Sequence, residues 1–246
     1  IPEFAARDRP VFVTSLARGG TTAVLNALHA LPDVATHTYR DMPFLTAPVL
    51  WKRLSGRKRS VKRRERAHGD GMSIDLDSPE AFEEVLWKLC WPEKFKAKTI
   101  DVWHAGDRRA EADSFIVRHM DKLLTAREVS RETGRYCSKN NANIARIGYL
   151  RDVFPESQIV VPLRRPECHA ASLLRQHRNF LTLQAEDPFV RRYMRDIGHF
   201  EFGQIHKANK FITNAKLCEP LLRHVDAFCC RLGLVDTNTV AYWPFI

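Results

Sequence analysis

The chain has no run of about 18 or more uncharged apolar residues, and its start lacks the basic, then apolar, then small-residue order of an export signal. A transmembrane span is therefore not expected, and the chain as given reads as soluble and cytoplasmic. Ile1 to Arg9 read like the interior of a longer chain. Cysteine is sparse and irregular: Cys90, Cys137, Cys168, Cys218, Cys229 and Cys230 form no CxxC pair and no even spacing, so neither a zinc site nor a disulfide framework is indicated. No metal is expected. The nucleotide triphosphatase signature GxxxxGK[ST] is missing, which disfavours ATP hydrolysis. No internal repeat is visible, and no low-complexity segment apart from one basic run.

That run carries most of the net charge. Between Lys52 and Arg66 nine Lys or Arg stand against one Glu, so +8 of the chain's +10 lies in fifteen residues. Residues 52–71 are expected to form a basic, solvated, flexible insertion loop, the alternative being a docking surface for a polyanionic acceptor or nucleic acid; for the chain as a whole, peripheral membrane contact stays open. No aromatics are interleaved with these charges, which weighs against nucleic-acid binding.

What is present is an alternation of strand and helix signals over 246 residues at 44% hydrophobic, enough for one sizeable core. Pro10 to Leu16 reads as a strand and Arg18-Gly19-Gly20 as a tight turn, with Val24, Leu28 and Leu31 recurring at helical spacing. Val34 to Thr36 is a second strand, and Pro43 suits the first turn of a helix towards Leu54. Ser78 and Pro79 read as N-cap and first residue of a helix with Phe82, Val85, Leu86 and Leu89 on its apolar stripe. A longer helix is expected from about Asp113 to Arg131, then a strand at Tyr136–Lys139 and a helix through Ile144, Ile147 and Leu150. Gln158 to Leu163 reads as a buried strand, followed by a helix from Arg165-Pro166 and a last helix carrying Leu217, Leu221, Val225, Phe228 and Leu232. This pattern predicts an α/β fold: a single domain with a parallel β-sheet flanked by helices and a P-loop-like strand–turn–helix phosphate site.

Two segments have the composition of anion sites. In Arg18-Gly19-Gly20-Thr21-Thr22 the glycines let the backbone wrap an anion, the helix start points N–H groups at it, the threonines add hydroxyls and Arg18 adds a forked permanent charge. Arg164, at a strand end, and Ser172, about two helical turns further on, suit a second anion. A surface charge and a helix serine bonding to its own backbone are the plain alternatives.

Together these segments resemble the 3′-phosphoadenosine 5′-phosphosulfate (PAPS)-dependent sulfotransferases, over roughly Pro10 to His177. In that family a [KR]-[SG]-G-T-T turn binds the 5′-phosphosulfate, and a later R-x-P with a serine eight residues after the Arg binds the 3′-phosphate. The match is nearest to bacterial members with Arg in the turn. Gly19 stands where a serine is commoner. The resemblance implies Arg18, Gly19, Gly20, Thr21, Thr22, Arg164 and Ser172 as donor-binding residues and Arg18 as the group that neutralises the leaving oxygens. It also implies in-line transfer to an acceptor hydroxyl on a carbohydrate or glycolipid. The family's general base falls on the segment after the second strand, here His37-Thr-Tyr-Arg-Asp41. Asp41 is the first candidate and His37 the second, with Arg40 beside them as an acceptor contact; a helix-capping role for Asp41 is the alternative. Lys139 and Asn140, on the expected sheet edge, are candidates for contact with sulfonate or acceptor, with Asn141 or Asn143 as a helix cap. His104, Asp101 and the Gly198–Gly203 turn with His199 are more distant candidates. The family's adenine-side segment is not evident, and Lys207, Lys210 and Lys216 are weak candidates for it against a solvated basic face. A phosphotransferase on a related α/β sheet and a nucleic-acid module using the basic run are the rival readings.

Overall fold

A computed structural model describes residues 9–55, 63–65, 71, 73–130 and 132–210. The expected helix through Leu217 to Leu232, together with Lys216, lies outside the described residues, as do residues 56–62 and 66 of the basic run. In chain order the elements are β1 (Val11–Val13), α1 (Thr21–His29), β2 (Val34–Ala35), α2 (Pro48–Ser55), β3 (Arg64–Glu65), β4 (Ser73–Ile74), α3 (Glu84–Cys90) and β5 (Thr99–Asp101). They continue with α4 (Ala110–Arg127), β6 (Arg135–Lys139), α5 (Ile147–Val153), β7 (Gln158–Val160), α6 (Pro166–Glu186), α7 (Pro188–Asp196) and β8 (Ala208–Lys210). Contacts group the chain into two units, residues 1–90 with 103–163, and 91–102 with 164–246.

The first unit holds a parallel sheet in the order β2-β6-β1-β7, the α/β arrangement the alternation predicts. β1 lies between two partners and is buried at every residue, which is why it reads as an unbroken apolar run rather than an alternating one. Its side chains still alternate between faces. Val11 and Val13 join Cys137 of β6 and Leu25 of α1 on one face. Phe12 points the other way, with ring centroids 6.4 Å from Tyr136 and 5.8 Å from Phe154 at the end of α5. Leu124 of α4 packs on Ala35. Helices thus cover both faces, and the connections leave the polar strand ends on one edge.

Several expected boundaries differ. β7 ends at Val160 and is an edge strand, with Leu163 88% exposed, so the apolar run to Leu163 overstates its burial. α2 begins at Pro48, not Pro43, and is preceded by a 3₁₀ turn over Tyr39–Asp41. α3 begins at Glu84: Ser78 caps no helix but accepts from the Asp75 N–H at 2.9 Å and donates to its carboxylate, closing a turn. Leu89, placed on the apolar stripe, is 61% exposed. α4 stops at Arg127, where Glu128 takes the left-handed conformation at φ 57°. In the second unit, α7 and the parallel pairing of β5 with β8 have no counterpart in the sequence reading. Among the described residues no helix is long and apolar enough to cross a membrane.

The first unit also encloses a charged cluster. Arg146 is fully buried, and its guanidinium forks onto Glu84 at 2.7 and 2.9 Å, donates to Asn143 at 2.8 Å, and lies between the rings of Trp87 and Trp103. Removing one partner strands a charge away from water. Glu84→Gln and Arg146→Met should each lower the unfolding free energy by about 3 to 5 kcal/mol. Arg146→Lys should recover little of it, since an ammonium cannot reproduce the fork or the stacking. Urea denaturation checks both, and a loss below about 1 kcal/mol would contradict this account of the cluster.

Candidate functional site

The turn after β1 is built to leave a helix start open. Arg18 takes a left-handed φ of 68° and Gly20 one of 105°, which places the chain directly into α1. Gly20 is the N-cap, no side chain caps the helix, and its first turn has no acidic residue. The first N–H groups of a helix have no intrahelical acceptor, and the helix dipole makes that end favourable to negative charge. Among the described residues, nothing other than its two chain neighbours lies within 4 Å of where a Cβ on Gly20 would stand, so an anion can approach the backbone there.

The other turn residues are more committed than their types suggest. Gly19 N–H closes back on the Leu16 carbonyl at 3.1 Å. Thr21 is buried, and its hydroxyl donates to Asn141 Oδ1 at 3.2 Å. Thr14, also buried, donates to the Asn141 carbonyl at 3.3 Å. Asn141 therefore ties the turn to the end of β6, a role the sequence offers no pattern for. Thr22 and Arg18 remain half-buried at the rim.

Three expected segments follow three neighbouring parallel strands and so share one sheet edge: the Arg18 turn after β1, His37–Asp41 after β2, and Lys139–Asn140 at the end of β6. Ligands of open α/β sheets gather at that carboxyl edge. Asn140 N–H donates to the Val13 carbonyl at 3.0 Å, which stitches the ends of β1 and β6 together.

Within that edge the side chains form a buried polar web. Asp41 Oδ2 accepts from the Thr38 N–H at 2.8 Å and from Arg127 at 2.5 Å, and lies 3.7 Å from His37 Nδ1. Burial alone would raise its pKa, but His37, Arg127 and the Thr38 N–H together outweigh that and hold the carboxyl at about 2. His37, 1% exposed, stacks on His119 with Nε2 atoms 3.2 Å apart, so one ring donates and the other accepts. Burial, then the neighbouring His37, push His119 well below the ordinary imidazole value. Lys139 Nζ reaches Glu80 at 3.4 Å, and Tyr39 donates to the same carboxylate at 3.0 Å.

Two expected acceptor contacts are occupied within the fold. Asn140 is buried, with Oδ1 accepting from the Ala142 N–H at 3.0 Å and Nδ2 donating to Glu84 at 2.5 Å, so it serves as the helix cap assigned beforehand to Asn141 or Asn143. The Arg40 fork closes on Asp77 at 2.7 and 2.8 Å. Glu83 carries no distinguishing mark in the sequence. It is fully buried, and burial raises its pKa; neither oxygen meets strict hydrogen-bond geometry, although Ser138 and the Trp87 indole are close enough to favour the charged form. Of the more distant candidates, Asp101 faces Lys96 at 3.9 Å and His199 pairs with Glu201 at 2.7 Å. Lys207 is fastened to the Lys96 and Ala97 carbonyls. A cavity of about 540 Å³ lined by Cys90, Arg109, Glu111 and Phe115 contains none of the expected site residues.

The second motif belongs to the second unit. Arg164 is exposed just ahead of α6, and Ser172 is buried in the second turn of that helix. The intervening Arg165 pairs with Glu167 in the first turn.

Comparison with known proteins bears on this arrangement. A search of curated proteins returns no match. Two crystal structures show low overall similarity. Sulfotransferase STF1 from Mycobacterium tuberculosis H37Rv is 15% identical, with 95% of this chain and 69% of that one covered, at a TM-score of 0.40. Sulfotransferase STF9 from Mycobacterium avium is 14% identical, with 95% and 66% covered, at a TM-score of 0.38. The Sulfotransferase family, in contrast, matches residues 10–213, a span that contains both anion motifs and the sheet that presents the first of them. On that match, the chain belongs to the sulfotransferase family.

Proposed function

We propose that the chain transfers a sulfuryl group from PAPS to a hydroxyl of a carbohydrate or glycolipid. The observation that carries this reading is the uncapped, acid-free start of α1 behind Gly20. Its N–H groups and Arg18 hold the 5′-phosphosulfate, with Thr22 at the rim and with Gly19 and Thr21 shaping the turn. Arg164 and Ser172 hold the 3′-phosphate. In the transfer, the acceptor oxygen forms a bond to sulfur as the bond from sulfur to the bridging phosphate oxygen breaks. Arg18 neutralises the charge that grows on that leaving oxygen, and fixed donors of this kind contribute most in a site closed to water. Lys139 stands at the same edge for the sulfonate oxygens.

The proton of the acceptor hydroxyl needs a base. A carboxyl held at about 2 is a weak one near neutrality, so Asp41 is assigned as the positioning partner, and His37 takes the proton through an Nε2 that must first give up its contact with His119. This inverts the order expected from sequence. The charges around Asp41 that lower its pKa are the same ones that remove its basicity.

Two measurements test these roles. Arg18→Ala should weaken binding of 3′-phosphoadenosine 5′-phosphate (PAP) and slow PAPS-dependent labelling of an oligosaccharide and glycolipid pool by roughly 10² to 10³. His37→Ala should stop labelling while leaving PAP affinity within about threefold. Unchanged labelling in either variant contradicts its assignment.

Asp41→Asn should cost about 2 kcal/mol of stability at pH 7, from a carboxyl shifted from 3.8 to about 2 on folding. The sign follows from the lowered pKa. The contribution is whole above the unfolded value near 4 and is lost as pH falls towards 2, so the gap between wild type and variant should close over that window. A gap independent of pH between 4 and 2 would show that the charge is not what matters.

A further inference from the structure

The turn departs from its family's commoner pattern at Gly19, and the structure supplies a reason. A Cβ built on Gly19 would run into Ser15 Oγ, and would lie 3.2 Å from Ser15 Cβ and 3.0 Å from the Leu16 carbonyl. Real Cβ atoms essentially never sit as close as that hydroxyl, and the other two approaches are tighter than most, so residues 15 and 19 compete for one volume. Ser15 cannot simply turn away. It is 4% exposed, and its hydroxyl donates to the Pro162 carbonyl at 3.0 Å, in the segment leaving β7. That bond continues the ladder in which Thr14 N–H donates to Val160 at 3.0 Å, at the point where the strand pairing itself has ended.

We infer that Ser15 is a positioning residue of the donor-binding turn: its hydroxyl fastens the turn to the backbone after β7, and its side chain fills the space that a side chain at position 19 would need. Gly19 is then present because Ser15 is. Its missing Cβ lets the turn fold over Ser15, and its N–H, bonded to Leu16, completes that fold. The anion-facing donors begin one residue later, at Gly20, where α1 opens. This rests on the reading of the turn as the PAPS site.

Two consequences separate this from a chance close contact. A serine at 19 clashes with Ser15 in the native chain, and emptying position 15 removes that clash while leaving the 3.0 Å approach to the Leu16 carbonyl, so Gly19→Ser and Ser15→Gly should be non-additive, as expected for residues sharing one space. Loss of the hydroxyl alone should loosen the turn without opening the core, because the Ser15 Cβ stays in place.

The test is a double-mutant cycle on the full chain, read by PAP affinity well below the melting point and by the melting temperature without ligand. Gly19→Ser should weaken PAP binding roughly tenfold or more and lower the melting temperature. Ser15→Gly with Gly19→Ser should bind PAP more tightly than Gly19→Ser, to about the level of Ser15→Ala since both lack the hydroxyl, and should recover most of the melting temperature. Ser15→Ala should weaken PAP binding about fivefold, the size of one hydrogen bond, with little change in melting temperature, whereas Ser15→Thr, which keeps the hydroxyl, should retain more affinity than Ser15→Ala. Gly19→Ser binding PAP as wild type does, or a double variant no better than Gly19→Ser, overturns the inference. Should the wild type bind no PAP, the donor reading falls, and the melting temperatures alone decide the brace: rescue by Ser15→Gly upholds it and absence of rescue rejects it.

Discussion

Parallel pairing of β1 with β6 and β7 is the constraint on which the candidate site depends. Strands that run the same way must end on the same edge, so the segments that follow β1, β2 and β6 meet there regardless of their distance in sequence. The edge concentrates polar groups in a place shielded by helices, and shielded polar groups must find partners. Thr14 and Thr21 find Asn141, Lys139 finds Glu80, and Asp41 finds Arg127. The result is a preset frame around the start of α1. Such a frame suits a reaction in which catalysis is chiefly positioning and charge neutralisation.

The same web limits what each residue can do. A carboxylate that accepts from Arg127 and a backbone N–H is well placed to orient a neighbour and poorly suited to take a proton. Asn140 and Arg40 are likewise absorbed by Glu84 and Asp77. The charged cluster of Arg146 and Glu84 lies under the same strand end, joined to it through Asn140, so the structural and chemical layers of the first unit are continuous.

How much of this was legible in the sequence follows from the kind of signal each part carries. β1, the glycine turn and α1 were readable because an apolar run, two adjacent glycines and a helical period are local marks with local causes. The residue types that suggest an anion site in the turn are local marks as well. Glu80, Glu83, Glu84, Arg127 and His119 were not, since a charged residue in a helical pattern is assigned to the solvated face unless its partner is known, and the partners lie far away in the chain. Arg127 and Asp41 are 86 residues apart, and Arg146 and Glu84 are 62. The reach of β7 was overstated because an apolar run does not distinguish an inner strand from an edge. That a serine is commoner at position 19 is visible in the sequence, but the crowding by Ser15 that a Cβ there would meet is not.

The proposal of an adenosine bisphosphate donor is tested most directly by calorimetric titration of the chain with PAP beside ATP, repeated with Arg164→Ala. The account predicts tight PAP binding, weak ATP binding, and a large loss of PAP affinity in the variant. Equal or tighter binding of ATP, or PAP affinity unchanged by Arg164→Ala, would contradict it and favour a phosphotransferase instead.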